Sequence, residues 1–258
     1  VDTVRQITGE KLLEYMHTQY TTNRLIVSAS GAVNHDDFVT ACEKKLTKIS
    51  THTMPDAEPA HYIGGEKRVI KPHEQVNLVL GFESFSYEHP DHYTANLLSA
   101  ILGGGMSSRL FQEIREKRGL VYSIYAYDSA ETDTGTFGIY AGTGEKEVSE
   151  LMPVLCDELV KLPDTITEEE INRAKARVRA SLLMRAENIS SHAESNALDL
   201  IVHHRIRSKE ERIERVNQIT KEDLARVAKT ILAGKPTLSA LGPIQHVMPY
   251  EEVINRLK

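Results

Sequence analysis

The gaps in this sequence narrow the possibilities first. Only two cysteines occur in 258 residues, Cys42 in ACEKKL and Cys156 in VLCDEL. Each falls on the apolar phase of a helical pattern, so both are expected to be buried free thiols and not a disulfide. No apolar stretch approaches the roughly 20 residues that cross a bilayer. The longest, around LLSAIL, runs into glycines, so no transmembrane helix is expected. An excess of basic residues is also missing. The formal charge is −6 and the pI about 6.0, which argues against nucleic acid and anionic membrane as partners, since both need a clustered basic surface to displace counterions. A cationic partner or substrate suits this charge better. The first residues, VDTVRQITGEKL, contain neither a basic n-region nor an apolar h-region, so no signal or transit peptide is visible.

Several catalytic signatures are absent as well. Eleven histidines are present, yet neither H-x-x-E-H nor H-E-x-x-H occurs. His89-Pro90-Asp91-His92 straddles an expected helix start. His192 and His203 share a helical face, but eleven residues at about 1.5 Å rise separate them by roughly 16 Å, too far to share an ion. His203 and His204 point to different sides. Gly103-Gly104-Gly105 is followed by no G-K-[ST] and lies after its helix, so it is neither a P-loop nor a dinucleotide fingerprint. Gly105-Met106-Ser107-Ser108 lacks the second glycine of a nucleophile elbow, and Ser108 reads as a helix N-cap.

What is present is an echo. Residues 4–33, VRQITGEKLLEYMHTQYTTNRLIVSASGAV, and residues 216–244, VNQITKEDLARVAKTILAGKPTLSALGPI, both run V-x-Q-I-T, an amphipathic helix, a polar break and a short strand ending near a glycine. So long a spacing points to a duplicated domain and not to a solenoid. The simplest division makes residues 1–55 the tail of a truncated first domain, 56–66 a linker rich in Pro and Gly, and 67–258 a complete second domain.

Within that second domain, QVNLVLGFE alternates Val76, Leu78, Leu80 and Phe82 on one face, the period of a half-buried strand. A helix is expected from His89-Pro90-Asp91 through LLSAIL to the glycines, with Pro90 in its first turn. A short helix follows from Ser107 or Ser108 to Gly119. LVYSIYAYDSA and TFGIYAG read as two strands of a hairpin turning at ETDTG. Thr167-Glu168-Glu169-Glu170 is a capping box, followed by the stripe Ile171, Ala174, Val178 and Leu182. Strands followed by helices give an α+β class: an antiparallel sheet with a layer of helices on one face.

The stretch LGGGMSSRLFQEIREKRGLVYSIYAY, with the ITGEKL…SGAV tail and the DTGTFGIYAG strand, resembles the C-terminal half of clamshell zinc metallopeptidases of the pitrilysin and mitochondrial-processing-peptidase family, the inverzincins. In that family an Arg and a Tyr seven residues apart reach the scissile peptide, and Arg115 and Tyr122 match that spacing. The resemblance implies catalytic roles for both, set against the plainer readings of a helix-terminal Arg facing carbonyl dipoles and a Tyr packing on a sheet. It also implies that Gly103, Gly104 and Gly105 touch substrate, beside the alternative of a helix C-cap with close packing. The helix that would carry zinc in the first copy reads YTANLLSAILGGG here, with Thr94, Leu97 and Leu98 where ligands and base would stand. Zn2+ is therefore expected in the full enzyme and not on this chain, which alone should be inactive. Expected partners are an N-terminal peptidase domain or homologous subunit and an unfolded peptide; a dimer is compatible. A non-catalytic structural or recognition subunit of the same family is the alternative. Bacterial cytoplasm or periplasm and mitochondrial matrix all fit.

Overall fold

Alternation of apolar residues builds the main sheet. In β2, Val76–Ser84, the residues Val76, Leu78, Leu80 and Phe82 are buried, while Asn77 and Val79 are half-buried and Glu83 is exposed. β3, Ser123–Ala130, and β4, Gly135–Thr143, form the expected hairpin, paired Ile124 to Ala141 and Ala126 to Ile139. β4 also pairs antiparallel with β2, Leu80 opposite Ile139 and Phe82 opposite Phe137. The other two strands come from the ends of this region: β1 is Gly65–Ile70 and β5 is Thr237–Gly242. The order is β1-β5-β2-β4-β3, antiparallel except that β1 runs parallel to β5.

The computed structural model describes residues 2–52 and 58–258. Contacts divide the chain into two compact units, Val1–Pro59 with Met184–Arg207, and Ala60–Leu183 with Ser208–Lys258. In the larger unit, α4 (His92–Gly103), α5 (Val148–Thr165) and α9 (Lys221–Leu232) cover the apolar side of the sheet, with α10 (Tyr250–Leu257) against α5. α6 (Glu168–Glu187) begins at the expected capping box: Thr167 N donates to Glu170 Oε2 at 2.9 Å, and Glu170 N to Thr167 Oγ1 at 3.2 Å. Its stripe is buried at Ile171 and Ala174 and half-buried at Val178 and Leu182. α8 is Lys209–Gln218. No helix among the described residues is long and apolar enough to cross a membrane.

Some expectations shift. Pro90 lies before the α4 N-cap, Asp91, and not in the first turn. Cys156 is buried but Cys42 only half-buried, and both are free. Of the linker expected over 56–66, residues 56 and 57 lie outside the described residues, while Gly65 and Glu66 already belong to β1. The partner that makes β1 a strand is β5, more than a hundred and fifty residues away, roughly, so nothing local announced it.

The smaller unit contains α1 (Asp2–Arg5), α2 (Gly9–Gln19), α3 (His35–Lys45) and α7 (Ile189–His203). Here the echo can be compared residue by residue. Thr8 accepts from Lys11 N to cap α2, as Thr220 accepts from Asp223 N to cap α9. On α9 the inward face, Leu224, Val227, Ala228 and Ile231, is buried. The matching face of α2 is open: Leu12, Tyr15 and Met16 are 54%, 58% and 48% exposed, and α2 has no buried residue. The strand expected after α2 does not form. Residues 25–30 make no ladder, and the only bridge among the described residues of this unit joins Thr21 and Ser50. An extended segment needs a neighbouring strand to satisfy its backbone, and none is supplied here.

Candidate functional site

The segment between α4 and β3 holds both candidate side chains. It starts from Arg109, whose Nε and Nη2 donate to the two carboxylate oxygens of Glu170 at 3.0 and 2.9 Å and whose Nη1 donates to Thr165 Oγ1 at 2.6 Å. The chain then winds as a π-helix over Phe111–Glu116, with Lys117 N bonding to Gln112 O, five residues back. A wide turn of this kind was not legible in the sequence; such segments are rare and often mark functional sites. Ser108 does not cap a helix amide as expected; its hydroxyl donates to Gly105 O at 2.5 Å.

Gly119 ends the helix with φ +66°, the left-handed conformation that glycine adopts without strain. The return into the sheet is pinned twice: Thr143 Oγ1 donates to Leu120 O at 2.5 Å, and Tyr122 N donates to Gly142 O at 2.8 Å. Leu120 and Val121 are buried, whereas Tyr122 is 60% exposed, immediately ahead of β3. Arg115 is exposed as well, with its guanidinium carbon 4.8 Å from the centroid of the Phe111 ring. Arg115 and Tyr122 thus stand on either side of one braced turn, with no bond between them. The carbonyl near the helix end is taken by Arg118 instead, whose Nη1 donates to Glu113 O at 2.6 Å.

The three glycines differ from one another. Gly103 is buried, and a methyl group on it would collide with the backbone of Tyr125 and Ala126 in β3; on Gly104 it would strike Ala100. Those two are fixed by packing. Gly105 is exposed and adjoins Met106, 76% exposed, at the tip of the loop. The carbonyls of this tip are engaged within the loop: Gly105 O accepts from Ser108 N at 2.9 Å, and Met106 O accepts from Gln112 Nε2 at 2.7 Å.

Metal chemistry finds no foothold in the described residues. Thr94, Leu97 and Leu98, which the resemblance sets where zinc ligands and base would stand, are buried at 5%, 1% and 1% exposure. No group of three His, Cys, Asp or Glu side chains converges. His89 stacks on Phe85 and accepts from Asp91 N at 3.0 Å, and His192 Nδ1 lies 2.9 Å from Ser30 Oγ. The described residues offer zinc no set of ligands.

One carboxyl group escaped the sequence reading. Asp128 follows the alternation Ile124, Ala126, Asp128 into the buried side of β3. Ser84 Oγ donates to its Oδ1 at 2.5 Å, Oδ2 has no hydrogen-bond partner, and His92 Nδ1 is 3.9 Å away. Burial pushes its pKa up from 3.8 to about 6, against the Ser84 bond. Between those values the folded chain holds a proton that the unfolded chain has released, so stability falls as pH rises through the window, by roughly 3 kcal/mol in all. Asp128→Asn keeps an acceptor for Ser84 and removes the charge. Its stability relative to the parent should rise by about that amount between about pH 4 and about pH 8, read from thermal melts of both proteins. A constant difference across the range would mean that the carboxyl is not the titrating group.

Residues 6–178 match the family model described as the peptidase M16 inactive domain. The chain is similar to an uncharacterized zinc protease of Rickettsia felis, 35% identical over 242 residues that cover 93% of this chain and 59% of that protein. It is also similar to the probable beta subunit of the mitochondrial-processing peptidase of Schizosaccharomyces pombe, 29% identical over 274 residues, 98% of this chain and 59% of that one. The chain thus spans less than two thirds of the length of these relatives. Its fold matches a chain of complex III2 from Candida albicans, solved with Inz-5 bound, at a TM-score of 0.90 and 23% identity, covering 99% of this chain and 64% of the other.

Proposed function

The chain belongs to the peptidase M16 family, and we propose that it is the substrate-handling half of a zinc endopeptidase that cleaves unfolded peptides or presequences. The observation that carries this reading is the braced turn with Arg115 and Tyr122 exposed at its two sides. When water adds to a peptide carbonyl, negative charge gathers on the oxygen. A guanidinium and a phenol, both protonated at neutral pH, are the donors such an oxyanion needs. Because a turn closed by the Leu120 and Tyr122 backbone bonds holds them, little reorganisation would accompany the reaction. The loop tip at Gly105 would take part of the peptide backbone, with Gly103 and Gly104 setting its shape.

The zinc and its ligands would lie in a partner half, either an N-terminal peptidase domain or a homologous subunit. The open face of α2 supports such a partner. It repeats a face that α9 buries, so residues 1–55 read as the tail of a domain whose sheet is elsewhere, with 56–66 as linker and 67–258 as the second domain.

The test is cleavage of a basic, unstructured fluorogenic peptide by a polypeptide carrying both halves, with and without a chelator. The expected result is activity that the chelator abolishes and that this chain alone lacks. Full-length protein that binds the peptide, holds no zinc and never cuts it would make the chain part of a recognition subunit.

A further inference from the structure

The cations around the turn are held in two different ways. Arg109 is spent on Glu170, and Lys117 and Arg118 both pair with Glu113. Arg115 has no carboxylate partner among the described residues; it lies over the ring of Phe111 instead. That ring is not part of the buried core cluster, nor among the partly buried side chains packed on it. The two residues are four apart in the π-helix, where the wider turn brings such side chains closer to alignment than in an α-helix.

From this we infer that Phe111 is a positioning residue for Arg115. A carboxylate would fix the guanidinium but neutralise it. An aromatic face fixes it through the ring quadrupole and leaves all of its N–H donors and its full charge for an incoming anion. Without the ring, Arg115 is a long, exposed side chain that must give up rotamer freedom each time it engages the substrate. The inference rests on the role proposed for Arg115, and the experiment separates the two.

Phe111→Leu, Phe111→Trp, Arg115→Ala and the Phe111→Leu/Arg115→Ala double variant are compared in the two-half enzyme for kcat, KM and Tm. In addition, the Arg115 side-chain resonances of this chain are followed by NMR. Phe111→Leu should lower kcat by about fivefold with KM little changed, and Phe111→Trp should restore it. The double variant should be no worse than Arg115→Ala alone. The upfield ring-current shift of the Arg115 methylene and Nε–H protons should vanish in Phe111→Leu and persist in Phe111→Trp. If Arg115→Ala cleaves normally, the proposed role of Arg115 fails, and the NMR shift alone decides whether the ring holds it. If Arg115→Ala is impaired but Phe111→Leu is not, the positioning inference fails by itself. Loss of activity in both Phe111 variants together with a large drop in Tm would make the ring structural and overturn it too.

Discussion

Tyr122→Phe is expected to lower kcat for peptide cleavage by about 10²-fold or more, with KM little changed and the fold intact. The ring is 60% exposed, and the residue is fixed to the sheet through its backbone N–H to Gly142 O, which the substitution keeps. Only the hydroxyl is lost. An oxyanion donor acts on charge that exists in the transition state and hardly at all in the bound substrate, so the effect should sit in kcat. Steady-state kinetics of the two-half enzyme decide the matter. A loss below about threefold would reduce Tyr122 to a surface residue at a strand start.

Gly103→Ala carries the largest expected effect on stability. A methyl group there meets the main chain of β3 at Tyr125 and Ala126, which cannot move without breaking register with β4. Overpacking of this kind typically costs about 1–3 kcal/mol, and a rigid backbone neighbour places this case at or above the upper end. Gly105→Ala is the control. Its methyl meets only the guanidinium of Arg177, the far end of a flexible side chain, and should cost well under about 1 kcal/mol. Urea unfolding of the two variants should separate them clearly. Equal midpoints would show that the α4 terminus can slide off β3.

How far the sequence reading reached depends on the range of the forces involved. β2, β3 and β4 were legible because alternation is a local property and a short turn joins two of them. The cap at Thr167 was legible because a cap lies within four residues of its amide. β1 was not, because GEKRVI is half-buried only at scattered positions and its partner is at the other end of the unit. The echo pointed to a duplication but predicted one strand too many, since it reports what a segment could pair with and not whether the pair is present. Arg115 and Tyr122 are candidates through the family resemblance and its spacing of Arg and Tyr; Phe111, four residues before Arg115, carries no such signal. Asp128 could have been found from its phase with Ile124 and Ala126. An acidic residue at that phase departs from the polar-outward pattern of the strand.

The position of β5 in the sheet bears on how this chain can be made. β5 comes from near the end of the chain yet lies between β1 and β2, bonded to both. Until a ribosome has released residues 237–242, β1 has no neighbour and one side of β2 is bare, so most of the unit must wait with two hydrogen-bonding edges unsatisfied. Nascent chains in that condition are candidates for chaperone capture or for edge-to-edge association. A chain cut before Thr237 would have a sheet open through its middle, not one shortened at its rim.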